Sequence, residues 1–191
     1  MKSAKPDVTV LALVGTDHHP FDRMVNLVDE LLAGHDPSDG ALSCLIQFGT
    51  AQAPSSAQGR DFLAKDEVKE HIDRADLVLC HGGPSTIVEI LRSGKMPLVM
   101  PRDPERGEHV DGHQQRFARH MAGLGLIQLV DSVQQVRAEV EQFTAGADER
   151  LNPGIELPSP AESALRLGRI VDRLTAAAPA QRWWRRGGRR R

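Results

Sequence analysis

Residues 8–14 form an apolar run that ends at Gly15 and Thr16 and is followed by a helix-like pattern. An apolar run of this kind is typical of a strand that is buried on both faces of a parallel sheet. Similar short runs recur along the chain at residues 42–48, 77–80, 97–100 and 126–130. Because strand-like and helix-like segments alternate, the sequence predicts an α/β fold with a Rossmann-like, doubly wound parallel sheet.

Helix patterns fill the intervals between these strands. Apolar residues spaced three and four apart predict a first helix that begins at Pro20 and ends at Gly34. Further helices are predicted at residues 66–74, 84–93 and 111–123, and from about residues 132 and 159. Residues 49–61, which carry Gly, Pro, Ser and Gln, are predicted to be a loop.

The loops that follow the predicted strands are the expected functional region. In doubly wound sheets, ligands bind outside the carboxyl ends of the strands. That rule selects four loops, at residues 15–20, 49–60, 81–86 and 101–114. We therefore expect the functional residues on one rim of the sheet.

Charge is distributed unevenly along the 191 residues. Six arginines and no acidic residue lie in 182–191, which leaves 18 basic against 26 acidic residues, a charge of −8, in 1–181. We therefore predict one domain over 1–176 and a basic, aromatic tail over 177–191. The acidic body argues against nucleic-acid binding.

The tail and the cysteines bear on the compartment. The segment from Arg182 to Arg191, with Trp183 and Trp184, suits an anionic membrane surface, and a disordered, solubilising tail is the alternative. Cys44 and Cys80 lie in apolar runs, which indicates buried thiols in a reducing compartment. The sequence shows neither a membrane-spanning run nor a signal peptide, so we expect a cytoplasmic protein, alternatively peripheral at the inner face of the plasma membrane.

The sharpest motif follows the third predicted strand and reads His81-Gly82-Gly83-Pro84-Ser85-Thr86-Ile87-Val88-Glu89. Its glycines allow a tight turn, and Pro84 suits the first turn of a helix. The N–H groups of Ser85 and Thr86 would then form an anion site suited to a diphosphate. Glu89, one turn further in, could accept both hydroxyls of a ribose, whereas a plain strand-to-helix turn is the alternative.

A polar segment at 101–115 lies on the same rim. Glu108, His109, Asp111 and His113 have the chemistry of metal ligands, but their spacing matches no standard zinc pattern, so we predict no metal site. Gln114 and Gln115, at the start of a predicted helix, suit sugar hydroxyls because amides both donate and accept hydrogen bonds. A solvated loop is the alternative.

A third motif, Gly15-Thr16-Asp17-His18-His19-Pro20-Phe21-Asp22-Arg23, ends the first strand. Histidine titrates near neutral pH, so His18 or His19 could act as a general base, although isolated histidines are more often structural. Asp22, in the first turn of the following helix, is a further candidate for the base.

Several motifs in register over about residues 8–130 resemble one family. They are Val14-Gly15-Thr16, Pro20-Phe21-Asp22-Arg23, Ala75-Asp76-Leu77-Val78, His81-Gly82-Gly83 with Thr86 and Glu89, Gly94-Lys95-Met96-Pro97-Leu98-Val99-Met100-Pro101, and Glu108-His109-Val110-Asp111-Gly112-His113-Gln114. The chain resembles the C-terminal, nucleotide-sugar-binding domain of glycosyltransferase family 28, a single half of a GT-B fold. The resemblance is closest to split members, such as the catalytic subunit of the dolichol-linked N-acetylglucosaminyl transferase and bacterial exopolysaccharide transferase subunits.

The resemblance implies a UDP-sugar donor and the roles of the site residues. Glu89 would hold the ribose, Gly83, Ser85 and Thr86 the diphosphate, and Gln114 with Gln115 and His113 the sugar. The remaining members of the implied donor site are Gly15, Thr16, His81, Gly82, His109 and Asp111. No cofactor and no metal are implied, since helix N-termini and side chains neutralise the leaving diphosphate in GT-B enzymes.

The implied reaction is transfer of a hexosyl group, such as N-acetylglucosaminyl, to a lipid-linked or polysaccharide acceptor. A GT-B transferase needs about twice this length, so we expect a membrane-anchored, acceptor-binding partner subunit. Pro84 and Ser85 depart from the small residues or Gly of many members, which removes one backbone donor from the phosphate site. The alternatives are a non-catalytic UDP-sugar-binding module and a UDP-sugar epimerase or hydrolase.

Overall fold

The structure is a computed structural model that describes residues 7–146. Its strands are β1 Val8–Leu13, β2 Leu42–Gln47, β3 Gln58–Arg60, β4 Leu77–Cys80, β5 Leu98–Val99 and β6 Gln128–Leu129. Its α-helices are α1 Asp22–Ala33, α2 Lys65–Arg74, α3 Pro84–Arg92, α4 His113–Gly123 and α5 Val133–Thr144. Single turns of 3₁₀ helix occur at Pro37–Asp39 and Pro104–Arg106.

The six strands form one parallel sheet in the order β3-β2-β1-β4-β5-β6. The chain moves outward from β1 in one direction and then returns to its other side at β4, so the sheet is doubly wound. The predicted fold class is confirmed. The reversal lies between β1 and β4, and a ligand crevice is expected at that point.

The central strand β1 is buried on both faces of the sheet. Val10 and Ala12 belong to a core cluster that also contains α1 and α5 residues such as Val28 and Val136. Because side chains alternate along a strand, Leu11 and Leu13 point to the opposite face, where they are also buried and where α2 packs on β1. The apolar run at 8–14 is therefore explained by a sheet with helices on both sides.

Several element bounds differ from those expected. The predicted loop at 49–61 contains β3, an exposed edge strand without an apolar pattern, which pairs with β2. Helix α1 begins at Asp22 rather than Pro20, and α4 begins at His113 rather than 111. Strands β5 and β6 are shorter than predicted, with two residues each.

The two cysteines are buried, as the sequence predicts. Cys44 and Cys80 are both free thiols, and burial raises the pKa of Cys44 to about 12.

Three predictions about the C-terminal part lie outside the described residues. They are the helix from 159, the domain boundary at 176 and the basic tail. Among residues 7–146, no helix combines the length and apolar character needed to cross a bilayer.

Lys95, in the loop between α3 and β5, binds the backbone at the C-terminal end of α2. Its Nζ donates to the carbonyls of Ile72, Asp73 and Ala75 at 2.7, 2.8 and 2.6 Å. A cation at these carbonyls satisfies acceptors that the helix end leaves free. The lysine of the Gly94-Lys95 motif therefore has a structural role, which is to cap the C-terminal end of α2.

Replacing Lys95 with methionine is expected to destabilise the fold by about 1–3 kcal/mol, because the three carbonyls lose their charged donor. Urea denaturation followed by circular dichroism measures the change. The control is Lys69→Met, which removes an exposed pair with Asp73 on α2 and should leave the midpoint nearly unchanged. Equal midpoints for Lys95→Met and the wild type would contradict this role.

Candidate functional site

The turn after β4 delivers the chain into α3 at the rim of the sheet. Gly83 is the N-cap residue, and Pro84 is the first helical residue, where its missing N–H removes no helix hydrogen bond. The N–H groups of Ser85 and Thr86 belong to the first turn, so neither has a partner within the helix. Pro84 and Ser85 are exposed and Thr86 is half-buried, so this end of α3 is open to solvent.

His81 fills the space between the β1 and β4 loops. A Cβ at Gly15 would lie 2.6 Å from His81 Cε1, and one at Gly83 would overlap His81 Nε2. Gly15 also has φ of 90°, a conformation that favours glycine. The two glycines are therefore required by the imidazole ring.

The environment of His81 keeps the ring neutral. Burial lowers the pKa of His81 to about 4, against the opposing effect of a backbone contact with Leu13. The ring Nδ1 lies 3.3 Å from the Leu13 carbonyl oxygen, to which a protonated Nδ1 can donate. His81 thus serves as a neutral spacer between the two loops at pH 7.

A cavity of about 250 Å³ lies between these loops, α2 and α3. Its polar lining consists of Gly15, Thr16, Gln47, Lys65, His81, Ser85, Thr86 and Glu89. Leu13, Leu63 and Val68 supply its apolar wall. The structure therefore brings the α3 hydroxyls and Glu89 together with the β1 loop, and Glu89 is half-buried at the cavity rather than turned into the core.

Gln47 is a site residue that sequence analysis did not single out. It ends β2, is buried, and accepts the Gly15 N–H at 3.0 Å. Its Nε2 donates to the carbonyls of Gly15 and Asp61 at 3.1 Å each. The sequence signal that could have identified Gln47 is an amide at the carboxyl end of a mainly apolar strand. A buried amide needs hydrogen-bond partners, so such a residue is expected to bind neighbouring loops.

Arg102 is the second residue that sequence analysis missed. It is completely buried, and its guanidinium donates to the carbonyls of His19, Glu108 and Val14 at 2.7, 3.0 and 3.0 Å. The guanidinium also lies over the Phe21 ring, 4.9 Å from its centroid. Arg102 thus joins the loop after β1 to the loop after β5.

A bidentate ion pair reinforces the same junction. Arg23 donates from Nε and from an Nη nitrogen to the two carboxylate oxygens of Glu108, at 2.9 and 2.8 Å. Glu108 also accepts the Asp103 N–H at 2.8 Å. These contacts give Glu108 a structural role, which argues against the reading of Glu108 as a metal ligand.

The two joined loops and the first residue of α4 carry six side chains that we call the histidine cluster: Asp17, His18, His19, His109, Asp111 and His113. The ring centroids of His18 and His19 lie 4.0 Å apart, those of His19 and His109 lie 6.1 Å apart, and those of His109 and His113 lie 4.6 Å apart. The sequence placed these residues on one rim, and the structure brings them into contact.

Asp17 is the centre of this cluster. Its Oδ1 accepts the His19 N–H at 2.8 Å and lies 2.6 Å from His19 Nδ1. Partial burial raises the pKa of Asp17, but the His19 hydrogen bonds and the charge of Arg102 outweigh it and lower the pKa to about 2. Asp17 is therefore ionised over the whole neutral range.

The remaining predicted residues lie beside this cluster. Gln114 is buried, and its Cβ lies 3.0 Å from the position that a Gly82 Cβ would take. Its Oε1 accepts the backbone N–H of Arg102 at 3.4 Å. Gln115 is half-buried, and Asp22 is exposed and accepts the Gln52 N–H at 2.8 Å. The cavity at α3 is lined by neither glutamine.

Comparisons with known proteins agree with this architecture. The model of the glycosyltransferase family 28 C-terminal domain matches residues 9–156. A UDP-N-acetylglucosamine--N-acetylmuramyl-(pentapeptide) pyrophosphoryl-undecaprenol N-acetylglucosamine transferase from Bdellovibrio bacteriovorus is 29% identical over an alignment of 140 positions. This alignment covers 61% of this chain and 37% of that protein.

Solved structures share the fold. The glycotransferase of kitacinnamycin superposes with a TM-score of 0.56 at 20% identity, over 94% of this chain and 45% of that one. The spinosyn forosaminyltransferase SpnP gives 0.57 at 17% identity, over 90% of this chain and 45% of that one. This chain spans less than half the length of these relatives. Since the family model covers most of its length, the chain belongs to the glycosyltransferase family 28 C-terminal domain family.

Proposed function

We propose that this chain binds a UDP-sugar and supplies the donor site of a hexosyltransferase. The observation that carries the proposal is the cavity at the N-terminus of α3, where Ser85, Thr86 and Glu89 line one wall. Family membership supports a nucleotide-sugar ligand, and the Bdellovibrio relative is named for UDP-N-acetylglucosamine.

The diphosphate is proposed to rest on the first turn of α3. The N–H groups of Ser85 and Thr86 and the positive end of the helix dipole would stabilise its negative charge. This charge grows on the leaving UDP as the glycosidic bond breaks, so the same groups would stabilise the transition state. Pro84 removes one N–H from this turn, and Lys65 at the cavity offers a compensating cation.

Glu89 lies one turn further along α3 and is the proposed ribose ligand. A carboxylate accepts hydrogen bonds from two neighbouring hydroxyls, which is the pattern that a ribose presents. The cavity of about 250 Å³ receives part of the donor, and its apolar wall of Leu63 and Val68 suits a pyrimidine. Gly15, Thr16, His81, Gly82 and Gly83 are proposed to shape the same site by close backbone approach.

The binding of the donor sugar and the general-base catalysis are proposed to involve the histidine cluster and the residues beside it. The sugar hydroxyls are proposed to meet His109, Asp111, His113, Gln114 and Gln115. The base for the acceptor hydroxyl is proposed among His18, His19 and Asp22. Of these, the ring of His19 is held by Asp17, whereas Asp22 is engaged with the backbone of Gln52.

The acceptor is proposed to be a lipid-linked sugar or a growing polysaccharide, as in exopolysaccharide synthesis. Resemblance to split transferases supports a membrane-anchored partner that holds this acceptor at the inner face of the membrane. The arginines from Arg182 to Arg191 would add attraction to anionic lipids. No metal or cofactor is needed for this reaction scheme.

The test is transfer of radiolabelled sugar from UDP-N-acetylglucosamine and UDP-glucose to membranes that contain the candidate partner. We expect labelled lipid only when donor, this chain and the partner membranes are all present. If the chain binds UDP-sugar but transfers no sugar with any partner membrane, the result would favour a non-catalytic module. Conversion of the donor without any acceptor would favour an epimerase or hydrolase.

A further inference from the structure

The histidine cluster has the composition of a metal site. It contains four of the chain's eight histidines together with two aspartates. Asp17, His18 and His19 each offer one ligand atom within 4.8 Å of the others, and so do His109, Asp111 and His113. The two triplets come from the loops after β1 and β5, so sequence spacing could not reveal their proximity.

Three imidazole nitrogens lie close to the two carboxylate oxygens of Asp17. His19 Nδ1, His18 Nδ1 and His109 Nε2 lie 2.6, 3.6 and 3.4 Å from the Asp17 carboxylate oxygens. Ligands about 2.0–2.1 Å from a tetrahedral ion lie about 3.3 Å from each other. The distances of 3.6 and 3.4 Å match this separation, whereas the 2.6 Å contact of His19 would have to lengthen. Because His18 and His19 approach Oδ1 and His109 approaches Oδ2, an ion would require rotation of these side chains to bring all three nitrogens to it.

The backbone that carries these ligands is fixed. Arg102 donates to the carbonyls of His19 and Glu108, the residue before His109, and so ties the two segments directly beside the ligands. His109 and His19 are largely covered, with 10% and 22% of their side chains exposed, whereas His18 is 82% exposed. The candidate ligands are thus mostly shielded from solvent except at His18, and an ion can reach them from that side.

We propose that Asp17, His18, His19 and His109 form a binding site for a divalent transition-metal ion of the Zn²⁺ class. Three imidazoles and one carboxylate favour Zn²⁺, Co²⁺ or Ni²⁺ over Mg²⁺ and Ca²⁺, which prefer oxygen ligands. The charge of Arg102 opposes a cation here, so the affinity is expected to be below that of a structural zinc site. This inference departs from the absence of metal that the sequence spacing predicts.

A bound ion would coordinate His18 and His19, which are two of the residues proposed as the general base. Binding of the ion requires neither UDP nor an acceptor, so the metal site can be tested independently of the proposed transfer reaction. The ion would still bind if the chain transferred no sugar.

The experiment titrates the full chain, purified with a tag that contains no histidine, with Zn²⁺ by calorimetry and with Co²⁺ by visible absorption. We expect one saturable site for Zn²⁺, intense absorption bands of tetrahedral Co²⁺, and no heat with Mg²⁺. His19→Gln and His109→Gln should each weaken Zn²⁺ binding by about tenfold or more. The exposed His18→Gln, which leaves the fold intact, should weaken it in the same direction.

His120→Gln, on the exposed side of α4, is the matched control and should bind Zn²⁺ like the wild type. Circular dichroism checks that each variant is folded. Absence of saturable Zn²⁺ binding would overturn the proposal, and so would wild-type affinity in His18→Gln and His109→Gln. Loss of binding in His113→Gln with normal binding in His18→Gln would overturn it in favour of the other triplet.

Discussion

Replacing Glu89 with alanine is expected to weaken UDP binding by about 100-fold, because two hydrogen bonds to a charged carboxylate contribute about 1.5 kcal/mol each. Glu89 is half-buried at the α3 cavity, so its loss removes ribose contacts without opening the core. Glu89→Gln keeps the shape of the side chain but loses the charge and is expected to retain part of the affinity.

Calorimetry with UDP measures this effect. The control is Glu70→Ala, which removes an exposed carboxylate on α2 that pairs with Arg74 and lies outside the cavity lining. We expect the control to bind UDP like the wild type. Unchanged UDP affinity in Glu89→Ala would show that the ribose is held elsewhere.

Arg102→Met is expected to lower the free energy of unfolding by about 3 kcal/mol, because two buried carbonyls and one partly buried carbonyl lose their donor at once. That is a large part of the total stability of about 5–15 kcal/mol that domains have. The loss should be concentrated at the junction of the loops after β1 and β5, since Arg102 bonds both. Arg102→Lys retains charge but cannot span all three carbonyls, and an intermediate loss is expected.

Urea denaturation gives the stability, and hydrogen exchange gives its location. Exchange should quicken at amides near His19 and Glu108 in Arg102→Met. The control Arg116→Met, an exposed position on α4, should leave both measurements nearly unchanged. A wild-type midpoint in Arg102→Met would contradict the role of this arginine as the link between the loops.

The fold was predictable because its signals are local. The apolar run at 8–14 requires burial on both faces, and this requirement makes β1 a central parallel strand. Pro84 after two glycines marks the start of α3, and the structure begins the helix at that residue. These two points place Gly15 and Thr16 beside the start of α3, since parallel strands have their carboxyl ends on one rim.

Other features depend on tertiary contacts that no short segment encodes. β3 is fully exposed along its three residues, so it lacks a hydrophobic pattern and is defined by its pairing with β2. The roles of Gln47 and Arg102 could not be predicted from their local sequence, because their hydrogen-bond partners lie on loops distant in the chain. The approach of His109 to Asp17 has the same origin.

A nucleoside diphosphate is proposed to rest on the first turn of α3. Titration of the ¹⁵N-labelled chain with UDP, followed by NMR, shows which backbone amides the ligand contacts. We expect saturable shifts that are largest at the amides of Ser85 and Thr86, with smaller shifts at Gly15 and Thr16. Unchanged amides at Ser85 and Thr86 at millimolar UDP, or shifts confined to another part of the chain, would show that the diphosphate does not bind at α3.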